Sequence, residues 1–276
     1  MNQKILKKII EISSFDKRIK TLSDLSGNIP YHDDYNNIHD YWYPHPPCLI
    51  PLFLGYGASY KGFLLHFFND RDITFIEYNL ENGYFYEIAK NTDQLITLLI
   101  LNMIIIKDEV SDDIVKFSMQ LDFENLKEVD HFSLEYGDNP KDFDKLVFFN
   151  KEMPSKYIDK GYSNDYPSTL TSINESILKN SCSFEIINKK SLNDINDIPK
   201  WLNPNTNKKE IFQQYLKESN LKKAWLTLNS KGWLLKDVAN GLELLKSNTK
   251  DQLFHLVADN WISGWQNSDA KEEDCY

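Results

Sequence analysis

The stretch from Leu95 to Ile106 constrains this chain more than any other. Its twelve residues are apolar apart from Thr97 and Asn102. Crossing a bilayer takes about 20 such residues, so the run is too short to span one. It is also too apolar for a surface helix and reads as a buried one. Asn91-Thr92-Asp93 supplies a small polar cap and an acid for the positive helix end, so the helix is predicted from about 92 to 106. Leu95, Ile96, Leu98, Leu99 and Met103 form its buried side. Such a helix must be covered by other layers.

The preceding residues provide one layer. Phe63 to Phe68 and Ile73 to Tyr78 read as strands, joined by the polar turn Asn69-Asp70-Arg71-Asp72. Tyr84 to Ile88 reads as a third strand after Glu81-Asn82-Gly83. Residues 4–12 place Ile5, Leu6, Ile9, Ile10 and Ile12 near helical spacing. Residues 27–51 carry Gly27, Pro30, Pro44, Pro46, Pro47 and Pro51, so an irregular aromatic loop is expected there.

Further on, Pro154, Gly161 and Pro167 suggest a linker over 151–167, and Ser183–Ile187 could add a strand. Four helical pieces are expected after 205. The first two run from Asn205 to Leu216 and from Leu221 to Leu228. The third is marked by Trp233, Leu234, Val238, Leu242 and Leu245. The fourth opens at Thr249-Lys250-Asp251-Gln252, which matches a capping box, and carries Leu253, Leu256, Val257 and Trp261. The tail Asp269 to Tyr276 is expected to fray. The chain thus divides into an α+β region over 1–150 and a mostly helical region over 168–268.

Charge narrows the function. There are 41 acidic residues against 31 basic, a net of -10. Nucleic acid is a poor direct ligand for such a surface, because phosphates demand cations. Only Arg18 and Arg71 offer arginine forks for phosphate. The acids concentrate in 101–150, where twelve Asp and Glu face five Lys. Residues 201–250 lean the other way, with nine Lys against four acids. The three cysteines, Cys48, Cys182 and Cys275, form no CxxC pair, which fits a reducing cytoplasm. No secretory apolar run opens the sequence.

Residues 50–101 resemble the SUKH superfamily, the Smi/Knr-type proteins that include many bacterial immunity proteins. The similarity lies in an order of features. Ile50-Pro51 enters a strand, Gly55-Tyr56-Gly57 turns, and Gly62-Phe63-Leu64-Leu65-His66-Phe67 pairs with Ile73–Tyr78. Tyr86 to Ile96 then leads through a small-residue turn into a helix. The chain differs from the family at Ala58-Ser59-Tyr60, where Gly-Asp is often seen. The resemblance implies a bent antiparallel sheet flanked by helices, and a non-enzymatic inhibitor of a toxin with no catalytic set.

His32-Asp33-Asp34, His39-Asp40 and His45 are metal-capable residue types, but they sit in a loop with no helix to align them, and a surface loop explains them better. Cys48 and His66 need a third group to act as a nucleophilic pair, and Cys48 reads as a small buried residue. The glycines at 55, 57 and 62 lack phosphate-loop spacing. No catalytic residue, metal or cofactor is therefore expected. Tyr31, Tyr35, Tyr41, Trp42 and Tyr43 lie among Asp33, Asp34 and Asp40. Aromatic anchors beside steering acids suit a basic protein partner.

The expectation is a cytoplasmic protein that binds and neutralises a cognate, basic toxin, without membrane or direct nucleic-acid contact. Its binding residues would be Asp33, Asp34, Asp40, Tyr41, Trp42 and Tyr43 in the loop, with Asp108, Glu109, Asp112 and Asp113 in the acidic segment. The alternative is an intracellular hydrolase whose catalytic groups lie far apart in sequence.

Overall fold

Four strands form an antiparallel meander in chain order: β1 (Leu49–Gly55), β2 (Ser59–Leu64), β3 (Thr74–Asn79) and β4 (Tyr84–Ala89). A two-residue strand, β5 (Tyr166–Pro167), pairs with β4. The computed structural model describes residues 3–13, 15–32, 42–55, 59–68, 72–81, 84–157, 166–167, 199–203 and 205–276. The candidate strand Ser183–Ile187 lies outside them.

Pro51 lies within β1 where the register to β2 shifts between Pro51 and Phe53. A proline cannot donate to the ladder, and an irregularity accommodates it. Opposite stands Gly62, where a Cβ would meet the Ile50 carbonyl oxygen at 2.2 Å. Only glycine lets the two backbones approach this closely. The first predicted strand ends early, at Leu64. Phe67 and Phe68 leave the sheet, Phe68 at φ 63°, and turn their rings toward the C-terminal helices.

The long apolar run forms α3 (Thr92–Lys107), with Asn91 accepting from the Gln94 amide as its N-cap. Ile96, Leu99, Ile100, Leu101 and Met103 are wholly buried. The polar exception, Gln94, is buried yet satisfied: it accepts from the Lys90 amide and donates to the Phe148 and Glu152 carbonyls. Of the first helices, α1 (Gln3–Ile12) and α2 (Lys17–Asp24), the second supplies Arg18. Its guanidinium joins Asp16 and Asp93 and so fastens α2 to the start of α3.

Two helices that sequence reading did not assign follow: α4 (Asp112–Gln120) and α5 (Leu126–Tyr136). Each is short and buries few large apolar side chains, Ile114 and Phe117 in one, Val129 and Phe132 in the other. Both pack against α3. Part of the expected linker is also ordered: Tyr157, at the end of a 3₁₀ turn, is buried against Phe143 and Phe149.

The C-terminal region is helical, with α6 (Lys208–Lys217), α7 (Leu221–Leu228), α8 (Leu235–Lys246) and α9 (Gln252–Gln266). The fold is therefore α+β with a helical C-terminal region. Three expectations are corrected here. Asp251, rather than Thr249, caps α9, because its carboxylate accepts from the Leu253 and Phe254 amides. The Thr249 hydroxyl instead accepts from the Asp251 amide. Trp233 precedes α8 and donates its indole N–H to the Thr227 carbonyl.

The tail does not fray. Tyr276 is buried, its phenol donates to the Leu228 carbonyl, and Cys275 bridges Leu234. A buried aromatic ring outweighs the tail's polar composition. The helical region also shares its core with the sheet. Phe67 meets Trp225 and Phe254 with ring centroids 5.5 and 5.0 Å apart. The amide of wholly buried Cys48 donates to Asn229, and the Trp261 indole N–H donates to the His45 carbonyl.

Candidate functional site

The proposed binding residues divide between two places. Asp33, Asp34, Asp40 and Tyr41 lie outside the described residues, as do Tyr35 and His39 of the same loop. Trp42 and Tyr43 are half-buried. Trp42 packs on Trp261 and His45, at 5.5 and 5.3 Å between ring centroids. A Cβ on Gly264 would fall 2.6 Å from the Trp42 indole nitrogen, so the ring needs that glycine in α9. The Tyr43 amide donates to the Tyr60 phenol oxygen. Trp42 thus ties the end of the loop to the last helix, and Tyr43 ties it to β2.

His45 lies inside this cluster. Burial pushes its imidazole down to about 4, against the opposing pull of a bond to the Tyr43 carbonyl. It is therefore neutral near pH 7, and its Nδ1–H donates to that carbonyl. The His32 ring nitrogen lies 3.2 Å from the Leu99 carbonyl oxygen. Among the described residues no three His, Cys, Asp or Glu side chains gather as metal ligands would.

The acidic residues make a corner where α3 ends and α4 begins. Lys107 occupies the last turn of α3, and Asp108 closes it with left-handed φ 59°, its amide bonded to the Ile104 carbonyl. Glu109 follows, exposed. Ser111 is the N-cap of α4 and accepts from the Ile114 amide. Asp112 and Asp113 then fill the first turn of α4, where the helix dipole favours anions. Three of the four acids sit here for a local reason: the Asp108 backbone closes α3, and Asp112 and Asp113 suit the N-terminus of α4.

Tyr31 joins this corner from the other side of the chain. Its phenol lies 3.1 Å from the Ser111 hydroxyl and donates at 3.1 Å to Asp113. The Lys107 ammonium sits 4.5 Å from the Tyr31 ring centroid. Tyr31 itself has φ 58°, an unusual conformation for a bulky residue. Two such positions, Tyr31 and Asp108, therefore meet at one corner. Strained backbone of this kind persists where the surroundings over-determine it.

Apolar side chains border the acids. Ile106 is 58% exposed and Met119 71%. On α4, Asp112, Val115 and Met119 follow at spacings of three and four, which places them on one face. The sequence marked the carboxylates and the loop tyrosines separately. It did not join Tyr31 to them, nor single out Lys107, Ser111, Ile106 or Met119. The polar Ser111 just before Asp112-Asp113 was the one available signal, since that pattern opens helices.

No family model matches the chain, and no curated protein and no solved structure matches it. Among the described residues no helix is long and apolar enough to cross a membrane.

Proposed function

We propose that this protein binds a cationic protein through the α3–α4 corner, and that it acts as an immunity-type protein neutralising a bacterial toxin. The observation that carries the reading is the meeting of exposed carboxylates with exposed apolar side chains. Asp108, Glu109 and Asp112 are exposed on the same two helix ends and faces as Ile106 and Met119. Acids there would steer a basic partner, and the apolar groups would hold it after docking. The resemblance of residues 50–101 to Smi/Knr-type proteins supports the choice of a toxin. Toxins that attack nucleic acid need cationic surfaces for their own substrate.

The test is association kinetics with the product of the adjacent open reading frame. Glu109→Lys with Asp112→Lys reverses two charges without touching the Asp113–Tyr31 bond. It should slow association several-fold, roughly in the way steering charges act elsewhere, and raised salt should shrink the difference. A rate that ignores both the reversal and salt rules out steering by this corner. An adjacent gene product that neither binds nor harms cells rules out the immunity reading.

A further inference from the structure

The Tyr31 ring is half-buried against the core and is held at its polar end as well. Its backbone sits at φ 58° and its phenol is bonded at 3.1 Å to both Ser111 and Asp113. One face carries a cation already, the Lys107 ammonium, 4.5 Å from the centroid. Lys107 is exposed, on a flexible stem. Asp108, Glu109 and Asp112 are exposed beside it, and no ion pair joins any of them to another described residue. A fixed aromatic face that already holds a cation, with exposed carboxylates just after Lys107 and at the opening of α4, is a cation site, and Ile106 and Met119 are exposed apolar side chains on the same two helices.

We propose that this site receives one arginine side chain of the partner protein, and that Lys107 is a resident cation which the arginine displaces. The inference rests on the protein-binding reading above. The geometry favours arginine over lysine as the incoming group. A guanidinium stacks flat on an aromatic ring and still forks onto a carboxylate in its plane, whereas an ammonium is a strongly hydrated point charge. Lys107 meets the ring and, among the described residues, no ion pair joins it to Asp108, Glu109 or Asp112. An arginine from outside satisfies both and returns Lys107 to water. Tyr31 is thus the recognising side chain, and Ser111 and Asp113 are positioning residues that hold its ring.

Affinity is measured by calorimetry with the adjacent gene product. Tyr31→Leu removes the ring and should weaken binding about tenfold, as expected of a central aromatic anchor. Lys107→Gln removes the competitor and should tighten binding several-fold. Lys127→Gln removes the same unit of charge from α5 and should change affinity less than about twofold, since an exposed charge away from the contact acts mainly through screened attraction. Equal effects of the two lysine variants would show net charge alone at work and overturn the proposal. So would binding that ignores both Tyr31→Leu and Lys107→Gln, while leaving the protein-binding reading intact.

A second probe does not depend on the neighbour. A short peptide of alternating arginine and leucine is titrated against isotope-labelled protein, with lysine and glutamate counterparts as controls. Amide shifts confined to Tyr31 and residues 105–119, strongest for the arginine peptide and lost in Tyr31→Leu, support the proposal. Shifts scattered over the surface, or equal for lysine and arginine, overturn it.

Discussion

His45 shows how a polar side chain in a proline-rich loop can become core. Three aromatic rings surround it, those of Trp42, Tyr60 and Trp261. Its folded pKa, about 4, lies below the ordinary value of 6.5. The unfolded chain therefore binds a proton between those values while the folded chain does not. Stability is complete above about pH 6.5 and is lost as pH falls toward 4. Between pH 7 and 5 the loss from this one group is about 2 kcal/mol. Chemical denaturation at both pH values checks this: the pH-dependent loss should shrink by about that amount in His45→Gln, and an unchanged loss would place the proton elsewhere. The sequence showed His45 beside Pro44, Pro46 and Pro47, which says loop and nothing of burial. Its partners Tyr60 and Trp261 lie fifteen and 216 positions away, and only the fold brings them together.

At the scale of elements, helices that bury many apolar residues were legible and helices that bury few were not. The run Leu95–Ile106 announced α3 almost to the residue, because nothing but a buried helix suits it. The strands at Ile73 and Tyr84 were legible as apolar and aromatic runs bounded by polar turns. The segments that became α4 and α5 read only as a concentration of acid, since two buried side chains per helix give too weak a period. The start of α9 was misread by two residues because Thr249 and Asp251 are both good caps. The structure gives the work to Asp251, which accepts two amides. Asp251→Ala should therefore cost about 1 kcal/mol, and Thr249→Ala clearly less. Denaturant midpoints of the two variants decide this, and the reverse order would restore the capping box. The same limit hid the candidate site. Asp108, Glu109, Asp112 and Asp113 were visible as charge, but Tyr31 reaches Asp113 across 82 positions, a distance no local pattern reports.

For the molecule as a whole, the sequence suggested an α+β region followed by a helical one, and the described residues of both contribute to one buried cluster. Phe67 leaves β2 to enter the helical region, Asn229 satisfies the amide at the head of β1, and buried Tyr276 donates to the Leu228 carbonyl at the end of α7. Removing either region would bare the apolar face of the other, so the two should unfold together. This can be read with separate probes. Five of the six tryptophans, Trp201, Trp225, Trp233, Trp261 and Trp265, lie in the helical region, so fluorescence follows that part. The amide infrared band of the antiparallel strands follows the sheet. The two denaturation curves should coincide. Tyr276→Ala, which empties a buried aromatic site and leaves the Leu228 carbonyl without its donor, should move both curves by the same amount, on the order of 3 kcal/mol. If the fluorescence curve moves alone, the helices are a separate unit resting on the sheet. In that case the acidic corner, which stands on α3 and α4, would keep its binding when the C-terminal helices are destabilised; a single unit requires binding and both signals to fail at one midpoint.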